Sequence, residues 1–207
     1  MIISTMSEQQ ICDELNKDLV DVDEFSKKRY KQVRHILMTT KLFPLYLYSF
    51  YTSPRKNKWL LCWESGNNKE LGVTFICITN YDKEGKKIAI MSTTTNGKDH
   101  FIFFPPHFFS RYAQRAGKSQ SGELLIREYF KLNATFAYDL KDVPVLNSKE
   151  VVSTEVYGSS KEGVAMGIET EGGNVLFRTF ITYDMTKGDQ IALFADSERI
   201  REEIHGA

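Results

Sequence analysis

His107, Arg111 and Arg115 follow one another at four-residue intervals within FFPPHFFSRYAQRAG, residues 103–117. On an α-helix that interval carries side chains up a single face. A proline at the first helical position loses nothing, because the N–H there has no intrahelical partner, so Pro106 predicts a helix start and places His107 in the first turn. The positive end of the helix dipole disfavours imidazolium, which predicts a ring that is neutral near pH 7 and able to accept a proton. With His107 at zero, Arg111 and Arg115 fall at about 40° and 80°, and Phe109, Ala113 and Ala116 fall at about 200°, 240° and 180° as the expected buried side. No Asp or Glu shares the His107 face, and two planar guanidinium groups without counter-ions suit a phosphate. The solvated side of an amphipathic helix has the same pattern, and the sequence leaves both readings open.

A second cation comes from LFRTFITYDM, residues 176–185. Strand alternation puts Phe177, Thr179, Ile181 and Tyr183 on one face and Leu176, Arg178, Phe180, Thr182 and Asp184 on the other. Arg178 and Thr182 then share a side, which fits a cleft or a sheet edge.

The elements that must hold these residues follow from periodicity. Ile11, Leu15 and Leu19, then Phe25, Tyr30, Val33 and Ile36, predict two N-terminal helices with a break near DVDE. From Lys58 to Phe104, four β-branched and aromatic runs separated by short turns predict an antiparallel meander. A helical pair follows, the first ended by Gly117 and the second capped by Ser121 and running on through LNATFAYDL. Three more strands and a closing amphipathic helix, Gln190 to His205, complete the chain. The fold class is therefore α+β: antiparallel meanders with a central helical pair, an N-terminal helical extension over 1–50, an α+β domain over 51–207, and a C-terminal helix. KLFPLYLYSFYTSPRKNKW is read as a helix-to-sheet connection buried under the N-terminal helices, or as an aromatic and basic platform for single-stranded bases.

Composition bounds the partners. Lys plus Arg and Asp plus Glu are 27 each, so there is no broad positive field for coating nucleic acid, and an anion must be met by a local patch; nothing in the sequence signals DNA. Between Lys98 and Lys131 six basic residues stand against three acidic ones, a small local excess. Neither a signal sequence nor an apolar run of spanning length is evident, which predicts a cytoplasmic protein away from the membrane. Cys12, Cys62 and Cys77 show no metal-ligand spacing and fit reduced thiols, the last two in the core. No zinc, phosphate-loop, dinucleotide or serine-elbow motif is present, so no metal or cofactor is expected.

HFFSRYAQRAG resembles the H-A-x-x-R-M-x-x-R-G helix of small bacterial toxin-like ribonuclease domains of the barnase, EndoU, colicin and RelE-like group. The match runs from His107 through Arg111 and Arg115 to Gly117 and then to Thr182, covering the last half of the chain by motif order. Phe108, Phe109 and Tyr112 are bulkier than the motif's residues, and the N-terminal half has no counterpart. The resemblance implies metal-independent RNA cleavage, with His107 as acid or base, Arg111 and Arg115 stabilising the phosphorane-like charge, Arg178 or Thr182 assisting, and an antidote protein as partner; the second proton-transfer group that such cleavage needs would come from Tyr183, Tyr157 or His100, in decreasing order of appeal. The alternative is a non-catalytic α+β module that docks a protein partner, which the Phe and Tyr content also fits.

Overall fold

A computed structural model describes residues 1–66, 70–95, 98–133, 137–144 and 152–186. The expected C-terminal helix, Gln190 to His205, lies outside the described residues. Helices and a mostly antiparallel set of strands make the protein α+β. The chain divides into two compact units, one holding Met1–Phe101 and a second beginning at Ile102.

The first unit opens with α1, Glu8–Thr39, a single 32-residue helix where the sequence predicts two. Ser7 starts it through a capping box: the Gln10 N–H donates to Ser7 Oγ at 3.3 Å and the Ser7 N–H to Gln10 Oε1 at 2.9 Å. The helix runs through DVDE because that stretch contains neither Gly nor Pro, and Val22 is fully buried in its middle. The buried stripe is Cys12, Leu15, Asp18, Val22, Ser26, Val33 and Leu37, so two polar residues interrupt the apolar period and mimic a break.

Asp18 is fully buried yet satisfied. Its Oδ2 accepts from Ser53 Oγ at 2.8 Å, Asn57 Nδ2 at 2.6 Å and Trp59 Nε1 at 3.1 Å, and Arg55 lies 3.4 Å from Oδ1. These bonds tie α1 to the turn joining β1, Leu45–Thr52, to β2, Lys58–Ser65. The segment read as a connection or base platform is thus strand β1, and the residues assigned to an N-terminal extension share a unit with the meander. β3, Gly72–Asn80, and β4, Lys87–Thr95, follow in an antiparallel order β1-β2-β3-β4. Trp59 to Trp63 are buried without a gap, so β2 is covered on both faces, and Cys62 and Cys77 are core residues. Burial pushes the Cys62 thiol up to about 12.

β5, Lys98–Phe104, begins in the first unit and ends in the second, where Ile102 and Phe103 pair in parallel with Val175 and Leu176. The second unit continues through α2, Pro106–Arg115, and α3, Gly122–Leu132. α3 ends at Leu132, and the sequence read as its continuation contributes β6, Ala137–Pro144. β7, Val152–Ser159, β8, Gly163–Glu169, and β9, Val175–Thr182, complete the antiparallel run β6-β7-β8-β9. Phe104, Phe108, Phe109, Tyr112, Tyr129, Phe130, Phe177 and Phe180 form one buried aromatic cluster with edge-to-face contacts such as Phe104–Phe130 and Tyr112–Phe180, both with centroids 5.1 Å apart.

Candidate functional site

α2 starts at Pro106 with Pro105 as N-cap, and Gly117, at φ 63°, closes it with the Lys118 N–H on the Ala113 carbonyl at 2.9 Å. Only glycine enters that left-handed turn without strain, so the sequence signals at both ends act as read. Ser121 occupies the N-cap of α3, although its side chain makes no capping bond.

The buried side of α2 is Phe108, Phe109 and Tyr112, where the sequence predicts Phe109, Ala113 and Ala116. The large rings claim the interior, and the helix turns to admit them. The consequence falls on the cations. His107 and Arg111 are exposed, whereas Arg115, next to Phe108 on the helical wheel, is half-buried and reaches β9. There its guanidinium donates to Thr179 Oγ1 at 3.1 Å and to the Phe180 carbonyl. Arg115 is therefore a brace between helix and sheet, with neutral partners only among the described residues.

β9 departs from simple alternation. Met166 pairs with Thr179 and Gly167 with Phe177, which leaves Arg178 as the extra residue of a β-bulge. The bulge shifts the phase by one, so Phe177 and Phe180 are both buried and Arg178 is exposed, contrary to the expectation that Arg178 and Phe180 share a face. Gly167 makes this possible: a Cβ there would lie 2.7 Å from Phe177 Cα and against the Leu176 carbonyl. A glycine among β-branched residues is the sequence signal that marks such a site, and alternation alone passes over it.

The bulge brings Arg178 close enough to bear on His107. The imidazole is held below its ordinary value by partial burial first, then by the positive charges of Arg178 and Arg111. Arg111 donates to Gln114 Oε1 at 3.2 Å. Among the described residues no carboxylate lies within ion-pair distance of Arg111, Arg115 or Arg178. The remaining basic excess is partly internal. Lys118 is 2.6 Å from Glu162 and 3.6 Å from Glu128, and Arg127 pairs with Glu123.

Thr182 stands opposite Gly163 in the last pair of β9, and no hydrogen bond links it to the cations. Of the suggested second proton-transfer groups, the Tyr183 hydroxyl donates to the Ser160 carbonyl at 2.6 Å, Tyr157 bonds Glu155 with its own hydroxyl pushed up to about 12, and His100 lies on β5 in the first unit. The structure thus groups His107, Arg111 and Arg178 around the α2–β9 contact, commits Arg115 to holding it, and sets Thr182 apart.

No helix among the described residues is long and apolar enough to cross a membrane, and none of their His, Cys, Asp and Glu side chains form a cluster of three or more that could hold a metal ion. Compared with models of protein families, with curated proteins and with solved structures, the chain matches none.

Proposed function

We propose that the α2–β9 face binds the phosphodiester backbone of RNA and that His107 is its proton-transfer group. The observation that carries this reading is the grouping of Arg111 and Arg178 beside an imidazole, with no carboxylate near the guanidinium groups among the described residues. Cations left without counter-ions favour an anionic ligand, and guanidinium forks match phosphate oxygens. In the catalytic form of this function, a metal-independent toxin-like ribonuclease, neutral His107 takes the 2′-hydroxyl proton and Arg111 and Arg178 stabilise charge on the attacked phosphorus. Arg115 holds the helix in place, and a group on the RNA or a water completes the second transfer.

Binding of a single-stranded RNA pool, measured in EDTA by fluorescence anisotropy between 50 and 200 mM salt as on the order of the usual range, tests the reading together with cleavage of the same pool. Arg111→Ala and Arg178→Ala should each weaken binding and shallow the salt dependence by about 0.7 in log-log slope. Unchanged binding in the double variant would remove RNA from this face. His107→Ala should abolish cleavage while sparing binding.

A second reading, a protein-interaction module, rests on a different place. Ile36 and Phe50 are 44% and 53% exposed and line a cavity between α1 and β1 in the first unit. Loss of partner capture in Phe50→Ser with RNA binding intact would favour it.

A further inference from the structure

One end of the β1–β4 meander, in the first unit, carries an open concavity of about 350 Å³. Lys56, Lys58, Lys83 and Lys87 line it together with a single carboxylate, Asp82. That carboxylate is already engaged, since Oδ1 accepts the Lys86 N–H at 3.1 Å and Oδ2 lies 3.5 Å from Lys86 Nζ. Lys87 Nζ donates to Asn80 Oδ1, and among the described residues Lys56, Lys58 and Lys83 have no side-chain ion pair or hydrogen bond. Four lysines lining one concavity against a single engaged carboxylate give it a local positive potential that favours an anion.

The backbone adds an independent observation. Lys56, at φ 63°, is the one non-glycine residue with positive φ among those described. Glycine or asparagine is the unstrained choice at such a turn position, so a lysine there is held against its conformational preference. The turn is rigid. The Lys56 N–H donates to the Ser53 carbonyl at 2.8 Å, the Ser53 N–H to the Asn57 carbonyl at 2.9 Å, and both flanking side chains are fixed on buried Asp18. The opposite side of Asn57 is fixed too, with Oδ1 accepting the Ile2 N–H at 2.8 Å. Lys56 is thus presented at the cavity from a pre-organised support.

We propose that this cavity is a binding site for a small phosphate-bearing anion, with Lys56, Lys58, Lys83 and Lys87 as its cationic wall. Its volume is at the small end of ligand sites, which suits a compact anion rather than a chain. Lys58 and Lys87 begin strands β2 and β4, and Lys56 and Lys83 lie in the turns before them, so the ammonium groups are separate point donors that match oxygens radiating in several directions from a phosphate group.

Inorganic pyrophosphate and ADP serve as probes, titrated in EDTA against sodium chloride of equal ionic strength and read by calorimetry and thermal unfolding. Wild type and Arg111→Ala/Arg178→Ala should bind pyrophosphate alike, with a rise in Tm on the order of 5 °C at a hundredfold excess over Kd. Lys56→Gly/Lys83→Gln should lose at least about tenfold in affinity. Lys56→Gly alone relieves the left-handed strain, so its Tm without ligand should hold or rise, which separates lost binding from misfolding. Equal binding of ADP and pyrophosphate assigns the diphosphate as the recognised group, and tighter binding of ADP assigns a nucleotide; both support the site. No effect beyond that of sodium chloride overturns it. So does a response lost in the arginine variant and kept in the lysine variant, which would place the anion on α2.

Discussion

Two arginine environments in this chain differ in what becomes of the charge. Arg55 in the first unit lies 3.4 Å from Asp18 and 3.3 Å from Asp21, and it also donates to the Lys17 carbonyl at 3.2 Å. Its charge is consumed in closing the turn against α1. Arg111 and Arg178 in the second unit are exposed, and among the described residues no carboxylate pairs with them. The same guanidinium group is therefore a fastener where a buried carboxylate awaits it, and is left without a counter-ion among the described residues where none does, which is the ground for the proposed RNA-binding face. Arg115 is intermediate, since it braces the sheet through the neutral acceptors Thr179 Oγ1 and the Phe180 carbonyl.

The largest break of this contrast comes from Asp18→Ala. It strips Ser53 Oγ, Asn57 Nδ2 and Trp59 Nε1 of their acceptor and should cost about 3–5 kcal/mol by urea unfolding. A loss below about 1 kcal/mol would show that α1 is not fastened there. Gly167→Ala comes next. Its new methyl group meets the β9 backbone, and the expected loss is about 1–3 kcal/mol, with weaker RNA binding because Arg178 is displaced.

Arg115→Ala should lower stability by about 1.5–3 kcal/mol, because its bonds to β9 are charge-assisted. Arg111→Ala and Arg178→Ala should stay within about 0.5 kcal/mol while reducing RNA affinity. If all three arginines behave alike in both measurements, the distinction between brace and receptor fails.

The smallest effect concerns protons. Because the folded state holds His107 below its ordinary value of 6.5, the unfolded chain binds more protons across the interval between the two values. Stability from this group is therefore fully present above pH 6.5 and is lost as pH falls through the lower, folded value. His107→Gln should flatten the acid side of the stability profile, and Arg178→Ala should raise the His107 titration followed by NMR. A His107 titration unmoved by Arg178→Ala would separate the bulge from the site.

Local physics made much of this legible in the sequence. Pro106 and Gly117 bound α2 because one lacks an N–H and the other lacks a Cβ, and both properties act wherever the rest of the chain goes. The runs that became β2 to β5 were likewise readable from β-branched and aromatic content between turns. The α1 break failed as a reading because Asp18 and Ser26 occupy buried positions of the helical stripe. The partners of Asp18, namely Ser53, Asn57 and Trp59, are distant in sequence, so no local window could show it as an interior residue, while Ser26 is buried with its hydroxyl turned back onto the Asp23 carbonyl of its own helix.

The candidate site divides in the same way. The sequence by itself determined which groups are available: a histidine in the first turn of a helix, with two arginines at the following four-residue steps. Only tertiary structure decided how they are used. Packing of Phe108 and Tyr112 rotated Arg115 onto β9, and a bulge across from Gly167 turned Arg178 out and toward His107. Side-chain type and spacing are local properties, whereas the acceptors that consume a charge, and the extra residue that shifts a strand's phase, are set by partners elsewhere in the chain.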